Sequence, residues 1–141
     1  MAFKAGTTSY FALNNVGGTA VNLSPYIDSL TLPATTDTTE VSTFGTQAKV
    51  MITLQTGGEQ ISLSGPYDAT VATHLDNLKK AHAAGSAAAG FVWGPGGSVA
   101  SEYRVAGSAF VTQFDVSSSV AGRVEYSASL QITGAVTTGT F

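Results

Sequence analysis

The chain contains no cysteine. That removes a disulfide framework, thiolate metal sites and thiol nucleophiles in one step, and it leaves the compartment open. Charge is also scarce. Charged residues make up 11% of the sequence, against about 25% in typical soluble domains. With six Lys and Arg against nine Asp and Glu, the net charge is −3. There is no basic excess, which excludes ordinary phosphate-neutralising binding of nucleic acid. No apolar run approaches the ~20 residues of a membrane-spanning helix. The opening residues Met1-Ala2-Phe3-Lys4-Ala5-Gly6 hold no apolar stretch of the signal-peptide kind, so no secretory leader is expected.

Hydrophobic residues make up 43% of 141 positions, enough for one core in a single domain, 1–141. The charge deficit therefore falls on the surface, where Ser, Thr and Gly replace it. A small soluble monomer usually carries about 25–35% charged residues on its surface. Interface cores are depleted in charge. The composition therefore favours a subunit whose surface is buried in an assembly.

Period-two alternation dominates the pattern. In 124–132, Val124, Tyr126, Ala128, Leu130 and Ile132 share one face, and Glu125, Ser127, Ser129 and Gln131 share the other. This is the mark of an antiparallel strand with one wet face. Segments 60–64 and 49–54 repeat it, and Gly57-Gly58 between them is a hairpin signal. Further strands are expected over 9–13, 20–23, 29–32, 90–93, 102–106 and 109–116. The last two form either a hairpin or one strand bulged at Gly107.

One helix is expected over 68–84. Asp68 is a suitable N-cap. Val71, Leu75, Leu78 and His82 form a single stripe. Lys79, Lys80 and His82 suit the C-terminal end of the dipole, Asp76 and Lys80 can pair one turn apart, and Gly85 is a stop signal. Strands, one helix, then strands predict a mainly β fold, an antiparallel sandwich or barrel with one flanking helix. The segment 33–49 fits neither period and is expected to be a long loop, which in a compact domain is usually functional or mobile.

The search for chemistry yields little. Gly96-Gly97-Ser98-Val99-Ala100 approaches a nucleophile elbow, but both histidines lie upstream and a strand follows. It also lacks the Gly-Lys-Ser/Thr ending of a phosphate loop. It reads as a turn. His74 and His82 are eight residues apart, which is not a metal-sharing spacing. His74 is expected on the surface and His82 beside the core. Asp37 and Glu40 lack the further oxygen ligands that Ca²⁺ requires. Glu102, Asp115 and Glu125 are scattered, and nothing selects a glycosidase pair. Trp93 and Tyr103 suggest a sugar platform at best, and ordinary packing aromatics otherwise. No catalytic residue, cofactor site or metal site is expected. Few Lys or Pro block the strand edges, so edges joined across subunits into a closed ring are the natural outcome.

Three segments carry a family resemblance. Tyr26-Ile27-Asp28-Ser29-Leu30-Thr31-Leu32-Pro33 followed by Asp37-Thr38-Thr39-Glu40-Val41-Ser42-Thr43-Phe44-Gly45 resembles the major tail tube proteins of long-tailed, non-contractile (siphovirus-type) bacteriophages. So does the ending Leu130-Gln131-Ile132-Thr133-Gly134-Ala135-Val136-Thr137-Thr138-Gly139-Thr140-Phe141. Ile61-Ser62-Leu63-Ser64-Gly65 with Tyr67-Asp68 is similar to the intervening family segment, which often has Trp where Tyr67 stands. Thr138 occupies a position that is often basic.

The resemblance implies a tail tube fold assembled as stacked hexameric rings, with a lumen that conducts the double-stranded DNA genome during ejection. It implies that 33–49 is a loop bridging subunits, with Asp37, Glu40, Thr43, Phe44 and Gly45 at the interface, and that 134–141 is a C-terminal arm. It also implies self-assembly with a tape-measure protein, a tail-tip initiator and a tail terminator, no membrane, and a location in the virion tail after assembly in the host bacterial cytoplasm. The acidic balance suits a lumen that must not hold DNA, with Ser62, Ser64, Glu125, Ser127, Ser129 and Gln131 as lumen candidates. The alternatives are another ring-forming tube, of the contractile-tail or type VI secretion kind, and a monomeric carbohydrate-binding β sandwich.

Overall fold

A computed structural model describes residues 6–33, 36–45, 48–56 and 59–141. The Gly57-Gly58 turn falls outside these. The elements run β1 (Tyr10–Asn14), β2 (Ala20–Asn22), β3 (Ser29–Thr31), β4 (Thr36–Glu40), β5 (Met51–Thr56), β6 (Gln60–Pro66), α1 (Ala69–Ala83), β7 (Ala89–Gly94), β8 (Tyr103–Ser117) and β9 (Glu125–Thr140). Seven strands form one sheet in the order β2-β1-β7-β8-β9-β6-β3, and every pairing is antiparallel. The expected fold class, mainly β with one helix, is the observed one.

The long hairpin β8–β9 is the backbone of the sheet. β7 pairs with its first half, from Val105 to Ala109, and β6 pairs with the far half of β9, from Glu125 to Gln131. Two irregularities interrupt the register of this hairpin, and the second keeps the apolar side chains on one face. Near Gly107, β9 carries extra residues opposite β8, and Gly134 there adopts a φ of 78°, a conformation that glycine tolerates without cost. Between Val111 and Gln113, Thr112 is the extra residue, and its hydroxyl donates to the Ser129 carbonyl at 3.2 Å. Were Thr112 paired regularly instead, Gln113 rather than Phe114 would point into the core, because one residue of slip exchanges the faces of a strand. Segments 102–106 and 109–116 are thus one bulged strand.

The core lies between the sheet and α1. Ile61, Leu63, Tyr126, Ala128, Leu130 and Ile132 meet Val71, Leu75 and Leu78 of the helix there. Burying each of the three helix residues stabilises by roughly 1.5–3 kcal/mol. The helix begins as expected, with the Asp68 carboxylate accepting from the Thr70 N–H at 2.8 Å, and Asp76 pairs with Lys80 at 2.8 Å. Both partners are exposed, so this pair contributes only about 0.3–0.5 kcal/mol. Gly85 follows the helix at a φ of 95°.

Four expectations need correction. Segment 33–49 is not simply a loop: Thr36–Glu40 is a strand paired with β5. Its sequence shows no alternation because every residue of β4 is exposed, so no face selects apolar side chains. The second correction is that β5 and β6 are not a hairpin. β5 pairs with β4 in a separate two-stranded sheet, and β6 lies between β9 and β3. Third, 134–141 is not a separate arm. It continues β9 against β8 as far as Tyr103↔Thr140, and the Phe141 N–H donates to the Glu102 carbonyl at 3.0 Å. Finally, His74 is half-buried rather than on the surface, with its Nε2 enclosed.

Candidate assembly interface

The β4–β5 pair forms an arm. Its register is Thr38↔Thr53, Thr39↔Ile52 and Glu40↔Met51. The ladder runs one step further, where the Val41 N–H donates to the Val50 carbonyl at 2.9 Å. Beyond it Ser42 closes the hairpin: its Oγ accepts from the Val50 N–H at 3.0 Å and donates to Glu40 Oε1 at 3.2 Å. Opposed residues of an antiparallel pair share a face. Thr39, Val41, Val50, Ile52 and Leu54 therefore share one face of the arm, and Thr38, Glu40, Met51 and Thr53 the other. The first face is an apolar stripe, and all of it is solvent-exposed. Phe44, at the tip, is 112% exposed relative to a reference Phe. A two-stranded ribbon is marginal by itself in water, and a stripe of this kind marks a surface made to be covered.

Of the five interface candidates, Asp37 and Glu40 lie on β4, and Thr43, Phe44 and Gly45 lie at the arm tip; all five are exposed. The structure therefore gathers them on one projection. The apolar stripe of β5, the larger part of that surface, was absent from the sequence-derived candidates. Its signal was the run Val50-Met51-Ile52-Thr53-Leu54, which reads equally well as a half-buried strand.

The six lumen candidates converge too. Cross-strand register sets Ser29, Ser64, Ser127 and Asp115 in one row, and Thr31, Ser62, Ser129 and Gln113 in the next. Gln60 stands beside Gln131, with Gln60 Nε2 donating to Gln131 Oε1 at 3.3 Å, and Glu125 opposes Ser117. These residues occupy the face of β3, β6, β9 and β8 that points away from the helix and core. Among the described residues no Lys or Arg lies in these rows. Glu125 is at the edge and its charge is compensated: Arg123 Nε donates to Glu125 Oε1 at 2.8 Å, and the same guanidinium binds Asp28. These bonds hold the Arg123 pKa above its ordinary value.

The remaining candidates do not gather. Trp93 packs against the core, paired with Phe11 and Val105, while Tyr103 is half-exposed at the start of β8. Residues 95–102 make a turn from β7 into β8, with no helix after it. Among the described residues, no cluster of three or more His, Asp or Glu is arranged to hold a metal, and no helix is long and apolar enough to cross a membrane.

No family model matches the chain, and no curated protein sequence does. Solved structures do match, along nearly the whole chain. A chain in the tail of an empty gene transfer agent particle, obtained by helical refinement with C6 symmetry, superposes with a TM-score of 0.72 at 17% identity, covering 96% of this chain and 98% of that one. A chain of the sheath–tube complex of an extracellular contractile injection system gives 0.71 at 12% identity, covering 99% and 93%. The SPP1 tail tube gives 0.67 at 16% identity, covering 99% and 80%. The fold is therefore one also found in chains of tails and injection tubes. At these identities the likeness defines the fold.

Proposed function

We propose that this chain is the structural subunit of a phage tail tube of the non-contractile type. Six copies form a ring, and rings stack into a tube. The exposed β4–β5 arm bridges neighbouring subunits, with Asp37, Glu40, Thr43, Phe44 and Gly45 in the contact. The polar face carrying Ser62, Ser64, Glu125, Ser127, Ser129 and Gln131 lines the lumen and lets the genome slide, since its rows hold hydroxyls, amides and carboxylates and the neighbouring Arg123 is already held by Glu125 and Asp28. The part played is architectural rather than enzymatic. The tape-measure protein, tail-tip initiator and tail terminator are the implied partners, and the tail of the virion, assembled in the host cytoplasm, is the implied location.

The observation that carries this reading is the arm, whose apolar stripe is left about half exposed in the subunit, on a fold also found in a C6-symmetric tail. Negative-stain electron microscopy at rising protein concentration tests it. Hollow tubes or six-fold rings are expected. Particles that stay monomeric even when seeded with native tail tips overturn it. A second reading, a tube enclosed by a contractile sheath, is favoured by the likeness to the injection-system chain. The Asp-Thr-Thr-Glu to Phe-Gly segment favours the non-contractile reading, and the presence or absence of a sheath on native particles separates the two.

A further inference from the structure

A groove of about 320 Å³ opens beside β1, lined by Thr7, Tyr10, Pro25, Ile27, Leu30 and Trp93 among others. Among the described residues, none that lines it is charged. Two serine hydroxyls on its wall are already engaged: Ser9 Oγ donates to the Pro95 carbonyl at 2.8 Å, and Ser24 Oγ accepts from the Phe11 N–H at 2.8 Å. The groove thus presents aromatic and aliphatic surface to its occupant, with these polar groups already satisfied from within.

The same chain carries the complementary piece. Phe44 stands wholly exposed at the tip of the arm, and the described tip residues Val41, Ser42, Thr43, Phe44 and Gly45 carry no charge. From Thr36 to Phe44 an extended chain reaches roughly 25 Å, enough to leave its own subunit. Phe44 does not line the groove of its own subunit, and a knob and a socket joined between copies make a head-to-tail contact, the kind that closes into rings or extends into filaments. We infer that the Phe44 ring of one copy seats in the Tyr10–Ile27–Trp93 groove of the next copy. This inference rests on the tube-subunit reading. A buried Phe removes about 150–250 Å² from water, well short of the ~1,200–2,000 Å² of a stable interface. Phe44 is accordingly the anchor, and the apolar stripe of Thr39, Val41, Val50, Ile52 and Leu54 supplies further area.

The absence of cysteine allows a direct test. The double variant Gly45→Cys/Thr7→Cys keeps Phe44 and puts one thiol beside the knob and one on the rim of the socket. After assembly and mild oxidation, a ladder of disulfide-linked oligomers is expected on a denaturing gel. The control pair Gly45→Cys/Thr73→Cys, with its second thiol on the exposed side of α1, is expected to give none. Trp93 is the sole tryptophan, so its emission reports the groove. Assembly of the wild-type chain is expected to shift it to shorter wavelength, and Phe44→Ser to raise the concentration needed for assembly about tenfold or more. Tubes that form with no ladder and no Trp93 shift overturn the inference and leave the tube reading standing. A chain that never assembles, seeded or not, overturns both.

Discussion

The Tyr126 hydroxyl donates a 2.7 Å hydrogen bond to the carbonyl of Tyr26, a residue 100 positions earlier, and that carbonyl occupies the space a side chain on Gly65 would need. A Cβ at Gly65 would lie 2.2 Å from the Tyr26 oxygen. One backbone oxygen thus ties the turn before β3 to both β6 and β9.

Two substitutions should loosen this point for different reasons. Tyr126→Phe leaves the carbonyl without its donor and is expected to cost about 1–3 kcal/mol. Gly65→Ala forces the backbone apart and is expected to cost at least as much, which chemical denaturation measures. Burial, with the nearby Asp28 charge as the smaller cause, raises the Tyr126 pKa far above the ordinary tyrosine value of about 10. The folded state therefore keeps a proton that the unfolded chain releases, and stability should fall as the pH rises past about 10. In Tyr126→Phe that alkaline loss should shrink.

The histidines set the acid limb. Burial lowers the pKa of both His74 and His82 below 6.5, opposed by hydrogen bonds with the Leu13 and Ala87 backbones respectively. His82 Nδ1 also accepts from the Val111 N–H at 2.9 Å, so protonation there removes the bond joining α1 to β8. The unfolded chain binds these protons more readily. Stability from this source is therefore complete above about pH 6.5 and falls as the pH drops from there through the lower folded values. Thermal melts of wild type and of a His74→Phe/His82→Gln variant between pH 4 and 8 should differ in slope on the acid side.

The arm should matter for assembly and little for folding. Ile52 and Leu54 are about half exposed in the subunit, so Ile52→Ser/Leu54→Ser should change subunit stability by less than about 1 kcal/mol. Tube formation, scored by light scattering and electron microscopy, should be abolished. A large drop in the melting temperature of the unassembled subunit would instead place these residues against its own core.

The polar face should tolerate cations structurally and fail with them functionally. Ser62 and Ser127 are exposed on neighbouring strands of that face. Ser62→Lys/Ser127→Lys adds two positive charges per subunit. Tubes should still form, while DNA passage slows and binding of duplex DNA to tubes becomes salt-dependent. Unchanged ejection from particles built with this variant would count against a lumen position for the face.

What the sequence determined by itself was local. The wet and dry faces of β9 follow from strict alternation between Glu125 and Ile132. The start of α1 follows from Asp68, its end from Gly85, and its buried stripe from Val71, Leu75 and Leu78. The shortage of charge pointed to assembly before any strand was placed. These signals arise within a few residues of one another, so a one-dimensional reading captures them. Tertiary structure decided the rest, because partner choice among strands is not a local property. Met51–Thr56 carries the pattern of a half-buried strand, yet it pairs with Thr36–Glu40, whose exposure on both faces erases any pattern. Thr112 sets the register shift that keeps Phe114 packed against the core. His74 is enclosed because the Leu13 backbone and residues 15–17 lie beside it, and Ser29, Ser62, Ser127 and Asp115 share one face only because β3 and β6 line up beside the β8–β9 hairpin. Each of these depends on the free energy of long-range packing, which no short window of sequence contains.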